Sequence, residues 1–253
     1  MEDTSAAGVA TALRAVRILE EIAEAGRPLT LTEIAAAVDV SMPTARRLLK
    51  ALESRDLIVA DSEPRGYVLG FGIMQLARVI LDRDDLIAAS APALERLRTE
   101  SGETVSLQRL VDDQRVPVAE LLSPHSIRMM SGVGTPYPLD RGAAGKAILA
   151  FLADYRIERL TAVSSAPQGL RQELDAVRRR GWAISAAEVV PGARSVAAPI
   201  LDFTGGVCAS LNVTGPVERF TEQVAVSLAP TVVEIAAGIT HLLGGDSRQE
   251  AAE

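Results

Sequence analysis

Residues 30–50 read TLTEIAAAVDVSMPTARRLLK, and the reading of this run decides the fold. Thr30 and Glu33 have the spacing of a capping box, in which the threonine hydroxyl and the glutamate carboxylate satisfy each other's backbone amides. The box opens a short helix whose inward residues are Leu31, Ile34, Ala35 and Val38. Asp39-Val40 makes a brief turn, and aspartate is among the residues that tolerate positive φ there. Ser41 is a good N-cap for the next helix, and Pro43 is acceptable because the first turn needs no intrahelical donor. That helix turns Ala45, Leu48, Leu49 and Leu52 inward. Ala35 is small where the two helices cross, so their backbones can approach. This is the pattern of a helix-turn-helix.

The flanks extend it. From Ala10 to Ala25 the residues Leu13, Val16, Leu19, Ile22 and Ala23 recur at helical spacing, with Ile18 widening the apolar face, until Gly26 and Pro28 stop the run. After the core pair, Leu57–Ala60 and Tyr67–Leu69 read as two short strands around the turn formers Asp61 to Gly66. A helix-turn-helix followed at once by such a hairpin predicts a winged helix-turn-helix over residues 1–70. Residues 71–84 form a linker helix that is apolar over more than one face, through Ile73, Met74, Leu76, Ala77, Ile80 and Leu81. Such a helix packs against a partner chain or against its own second domain.

The second domain is expected over 85–245, with a polar tail at 246–253. Strands are expected at Thr104–Val111, Val116–Leu122, near Ile127–Met130, at Ser195–Leu201 and at Val207–Val213. Helices are expected up to Glu100, at Ala143–Ala153, Gln168–Arg180 and Thr221–Leu243. Strands interrupted by helices in an order that begins with a hairpin give an α+β fold class.

A net charge of −7 does not exclude a nucleic-acid partner, because the field that DNA feels is local. Residues 41–55 carry Arg46, Arg47, Lys50 and Arg55 against the single Glu53. In the expected geometry this helix leads with its N-terminal half into the major groove of double-stranded DNA. Its outward residues are Pro43, Thr44, Arg46, Arg47 and Lys50. Successive helical residues lie roughly 100° apart, so Arg46 and Arg47 cannot both face the bases. Arg47 with Pro43 and Lys50 is read as the central face, with Thr44 and Arg46 flanking it. Arg65, at the wing tip, suits a phosphate or minor-groove contact, or is a solvated turn arginine.

Other chemistries fare badly. One cysteine, Cys208, and two distant histidines, His125 and His241, leave no disulfide framework and no evident metal site. Neither a secretory leader nor an apolar run approaching the roughly 20 residues of a bilayer span is read, so a cytoplasmic protein without a membrane partner is expected. Gly145-Lys146 invites a phosphate-loop reading, but Asp140 and Ala147 stand where that motif needs glycine and a hydroxyl residue. No nucleophile is joined to a base and an orienting acid. No enzyme and no cofactor are expected. Ser185, Ser195, Asn212 and Thr214 remain as short polar residues within apolar segments. They orient a small ligand, or they satisfy local backbone groups.

Taken in order, LTLTEIA at 29–35, TARRLL at 44–49, YVLG at 67–70, PL at 138–139, GKA at 145–147, RRGW at 179–182, PGARSVAAPI at 191–200 and LNVTGP at 211–216 strongly resemble the IclR family of transcriptional regulators. The resemblance spans nearly the whole chain. It implies a GAF-like effector-binding domain and dimers that often pair into tetramers. It also implies control of metabolic operons, more often by repression, through a small effector, often carboxylated or aromatic. By the same resemblance the effector contacts fall on the backbone around Ala143 and Ala144 and on the side chains of Ser185, Ser195, Asn212 and Thr214. The family often has an acid at the place of Ser185, cysteine at that of Ser195 and serine at those of Asn212 and Thr214, so a different effector is expected. Arg141 either pairs with a ligand carboxylate or forms a surface salt bridge. The competing reading is a DNA-binding or protein-interaction regulator whose second domain is blind to ligands.

Overall fold

The computed structural model describes residues 2–62, 65–81, 85–162 and 169–245, with the backbone alone at 2–7, 62, 65 and 79–81. The wing-tip side chain of Arg65, the end of the linker at 82–84 and the tail at 246–253 therefore lie outside the described residues. The chain divides into two compact units, Met1–Asp84 and Asp85–Glu253.

The first unit runs α1 (Glu2–Ala25), α2 (Leu31–Ala37), α3 (Met42–Glu53), β1 (Ile58–Ser62), β2 (Arg65–Leu69) and α4 (Phe71–Leu81). Ile18 and Ile22 of α1, Ile34 and Val38, Leu48, Leu49 and Leu52 of α3, and Ile58 share one core. Ile18 and Ile34 are wholly out of water, each contributing roughly 1.5–3 kcal/mol. The apolar stripe on α1 is wider than its buried part: Leu13 is 65% exposed, and Val16 and Ala23 also face solvent. Strands β1 and β2 pair antiparallel, Ile58 opposite Leu69 and Ser62 opposite Arg65. Leu29 adds a bridge to Tyr67, tying the wing to the approach to α2. Gly70 lies so close to the Asp56 carbonyl that any Cβ would collide with it, so α4 leaves the wing along one fixed path. Its Phe71, Met74 and Leu76 are exposed.

The second unit runs α5 (Asp85–Ser101), β3 (Thr104–Val111), β4 (Gln114–Leu121), β5 (Tyr137–Pro138), α6 (Ala143–Leu149), α7 (Asp154–Ala162), α8 (Leu170–Arg180), β6 (Ala183–Ala186), β7 (Ala193–Leu201), β8 (Val207–Pro216) and α9 (Glu222–Leu242). The sheet order is β5-β4-β3-β8-β7-β6, antiparallel at every pairing. Successive side chains of a strand face opposite ways. Val105, Leu107, Val196, Ala198, Ile200, Leu211 and Val213 thus share one face and a core with α5 and α9. Ala183, Ala197 and Leu201 share the other face with α6 and α8. By length and composition α9 would reach across a bilayer, which reading the sequence for apolar runs passes over. Its Ala225, Ala229, Val232, Ile235, Ala236 and Ile239 are buried in the core with the sheet, so it is the core helix.

Several elements differ from the sequence reading, among them the two-residue strand β5, which falls where a loop was expected. Residues 127–130 form no strand: the carbonyls of Ile127 and Met129 accept from the side chains of Arg219 and Thr104 (3.1 and 2.7 Å) instead of from a ladder. The helix starting at Ala143 ends at Leu149, and a separate helix, α7, begins at Asp154. Strand β6 pairs at the edge of the sheet, Ser185 opposite Ser195, where no strand was expected.

Candidate functional site

The α2–α3 pair is held as its sequence dictates. Thr30 accepts from the Glu33 amide at 3.3 Å, and Glu33 takes the Thr30 amide at 2.8 Å. Arg27 also donates to Glu33, at 2.8 Å. These contacts, the Arg27 guanidinium first, hold the Glu33 carboxyl down at about 2. Asp39 adopts φ +51° in the turn, and the Val40 amide closes back on the Ala35 carbonyl at 3.0 Å. Ser41 occupies the N-cap position with extended backbone, but its side chain caps no amide. Its hydroxyl instead bonds the Thr44 hydroxyl at 3.0 Å, tethering a residue expected to reach outward.

Burial of Ala45, Leu48, Leu49 and Leu52 forces the opposite face of α3 into solvent. Pro43, Arg46, Arg47 and Lys50 are exposed, and Thr44 is half-buried. Among the described residues, no carboxylate pairs with Arg46, Arg47 or Lys50. A cleft between α3 and the wing is lined by Met42, Arg46, Ala60, Asp61 and Gly66. The arrangement is a cationic helix face beside a two-stranded wing, free to neutralise phosphates and to reach base edges.

In the second unit, the alternation that gives β3, β7 and β8 one apolar face gives the other face a polar centre. A row of hydrogen bonds crosses four strands. Arg115 on β4 donates to Gln108 Oε1 (2.8 Å), and Gln108 Nε2 donates to Ser106 Oγ (2.8 Å). Asn212 Nδ2 reaches Ser106 Oγ (3.3 Å) and Thr214 Oγ1 (2.8 Å), and the Thr214 and Ser195 hydroxyls share a bond of 2.9 Å. Above this row lies a cavity of about 50 Å3, lined on its other sides by residues 129–131, the start of α6 and residues 188–190. Ala143, Ala144, Ser185, Ser195, Asn212 and Thr214 all line it. Arg141 does not: its Nε turns to Asp140 at 3.3 Å and its side chain is more than a third exposed.

The cation that does line the cavity is Arg115, which the sequence reading missed. It is 5% exposed. Its cross-strand neighbour is Tyr137, whose ring centre lies 4.8 Å from the guanidinium carbon. Burial pulls its pKa down to about 10. The rim is fixed by Glu188, which accepts from the Gly142 amide at 2.9 Å and from Lys146 Nζ at 2.6 Å. Lys146, almost fully buried, also binds Glu173 at 2.6 Å. Gly142 has φ +77°, and a Cβ there would come within 2.9 Å of Val189 and 3.1 Å of Arg115 Nη2. Backbone and guanidinium meet there only because the side chain is absent. The Ala143 amide donates to Ser185 Oγ at 2.9 Å.

Comparison with known proteins finds matches along both units. Residues 11–62 match the IclR helix-turn-helix domain, and residues 78–241 match the family described as bacterial transcriptional regulator IclR C-terminal. The HTH-type transcriptional regulator BhcR of Paracoccus denitrificans is 31% identical over 97% of this chain and 91% of its own length. The HTH-type transcriptional repressor AllR of Escherichia coli K12 is 27% identical over 91% of this chain and 89% of its own. Among solved structures, an IclR homolog from Microbacterium hydrocarbonoxydans, complexed with 4-hydroxybenzoate, superposes with a TM-score of 0.79. It covers 92% of this chain and 98% of its own at 20% identity, a likeness of fold. These relatives are named as regulators, not as enzymes. The chain belongs to the IclR family of bacterial transcriptional regulators.

Proposed function

We propose that this regulator binds a near-palindromic operator as a dimer, and that a small molecule in the cavity above β3 and β8 sets its affinity for that DNA. The observation that carries the DNA-binding reading is the exposed, unpaired cationic face of α3. Arg47, with Pro43 and Lys50, reads the major groove; Thr44 and Arg46 flank it; Arg65 meets the backbone from the wing. One such module reads only a few base pairs, so two copies are needed. The exposed apolar residues Leu13 and Val16 of α1 and Phe71, Met74 and Leu76 of α4 are the surfaces by which copies pair, in the cytoplasm, as dimers or as dimers of dimers.

The effector contacts are Ala143, Ala144, Ser185, Ser195, Asn212 and Thr214. That an IclR homolog carries 4-hydroxybenzoate supports a ligand in the second unit, and the name of AllR supports repression. Mobility shift on the promoter beside the regulator's own gene tests the whole reading. Wild-type protein retards the fragment, Arg47→Ala with Lys50→Ala does not, and a cavity ligand changes the retarded fraction. Retardation that survives the double substitution overturns the choice of recognition face. Retardation that no small molecule alters returns the second unit to the ligand-blind alternative.

A further inference from the structure

The cavity brings together two buried groups with opposite needs. Arg115 is enclosed by neutral partners, the Gln108 amide and the Tyr137 ring, and its Nε has no partner. Among the described residues, no carboxylate pairs with it; Glu188, the acid that lines the cavity, is held by Gly142 and Lys146. A guanidinium stays protonated at neutral pH, so its burial without a counter-charge is a standing cost. A bound anion removes that cost. A carboxylate suits the planar fork.

Asn212 is 4% exposed, and its Oδ1 has no partner. Its Nδ2 is engaged by Ser106 and Thr214, so the bare oxygen is left for a donor from the ligand. Arginine can only donate, so Gln108 turns its oxygen to Arg115 and its Nε2 to Ser106 Oγ, and that hydroxyl oxygen accepts from Asn212 Nδ2 as well. Size narrows the choice. The space of about 50 Å3 is a few times the roughly 10–15 Å3 that one water needs, which suits an acid of two or three carbons better than an aromatic one.

We propose that the ligand is a 2-hydroxy carboxylate of two or three carbons, its carboxylate on Arg115 and its hydroxyl donating to Asn212 Oδ1. The proposal rests on the cavity being the effector site, and it makes Arg115 and Asn212 the residues that set specificity.

Calorimetric titration of the full-length protein tests it, with glycolate, each enantiomer of lactate, pyruvate, acetate, lactamide and 4-hydroxybenzoate as probes. Glycolate or one lactate binds at least about tenfold more tightly than acetate, because acetate leaves the buried acceptor unmet. Lactamide, without the charge, does not bind. Arg115→Gln weakens the hydroxy acid by about 100-fold or more, and Asn212→Leu brings it to the affinity of acetate. Unliganded melting temperatures check the fold, and Arg115→Lys, which keeps a cation, keeps measurable binding should the glutamine variant unfold. Pyruvate binding as tightly as lactate, or binding indifferent to Arg115→Gln, overturns the proposal. If 4-hydroxybenzoate binds instead and Ser195→Leu blocks it, the effector site stands and the hydroxy-acid assignment falls. If no probe binds and a wider metabolite screen raises no melting temperature, the effector reading falls with it.

Discussion

Among the described residues, the cations of α3 stand in water with no carboxylate paired to them, whereas Arg115 in the other unit is 5% exposed and bonds only to a neutral amide. Both are unpaired, yet they suit different ligands. An exposed charge is screened within about 8 Å at physiological salt, so it gains most from a dense polyanion whose counterions it displaces. A buried charge is screened far less and responds to one small anion that fits. Lys146 is the third case. As buried as Arg115, it is bound by Glu173 and Glu188, and it fixes the cavity rim. Burial selects the size of the ligand, and pairing decides whether there is one.

The largest effect expected from breaking this contrast is at Lys146. Replacing it by methionine strands two carboxylates, for a loss of about 2–3 kcal/mol, toward the low end because both keep some access to water. Calorimetric unfolding should then show a transition lowered by roughly 4–12 °C. Arg115→Met strands no charge, only the buried Gln108 Oε1, and it also removes an uncompensated buried cation, so it should cost less, about 1 kcal/mol. Next comes Arg47→Ala, expected to weaken operator binding by about 1–3 kcal/mol in a titrated mobility shift, with the ligand titration unchanged. Smaller still, Lys50→Ala should reduce the slope of log K against log salt by about one unit. Ligand affinity should change less than about twofold over the same salt range, since a buried pair is little screened.

The smallest effect is in the cap of α2, where Thr30→Ala should cost about 1 kcal/mol. There the Glu33 carboxyl sits at about 2, below its ordinary 4.5. A depressed carboxyl contributes stability above its unfolded value and loses it as pH falls through the folded one. The difference in melting temperature between wild type and Glu33→Gln should be full above about pH 4.5 and fade toward pH 2.

The helix-turn-helix was legible because its signals are local: Thr30 and Glu33 cap each other across three residues, and Leu48, Leu49 and Leu52 recur at helical spacing. The second unit was legible where its strands are long and apolar, as in β7 and β8. It was not where pairing is settled by distant partners. Strand β6 is four residues long and exists because β7 lies beside it. Ile127–Met130 is apolar enough for a strand, but Arg219 and Thr104, far along the chain, take its carbonyls. Six of the polar and small residues named by family resemblance do line the cavity: Ala143, Ala144, Ser185, Ser195, Asn212 and Thr214. Arg141 was chosen for its nearness in sequence to Ala143 and turns away to Asp140. Arg115 was missed because it falls between a turn, Asp112-Asp113-Gln114, and the expected start of a strand at Val116, where an arginine reads as solvated. Its inward direction follows only from the pairing of β3 with β4, whose register shifts between Leu107 and Gln108.

The alternation along β7 and β8 has a consequence for how such a regulator diversifies. Ser195, Asn212 and Thr214 face the cavity, while Val196, Leu211 and Val213, their immediate neighbours, are packed in the core that α9 shares. If the cavity is the effector site proposed above, a single-residue change can rewrite what the protein recognises and leave the packing beneath α9 alone. Chemical taste and mechanical soundness are written on the same strands at odd and even positions, so selection can vary one while it holds the other constant.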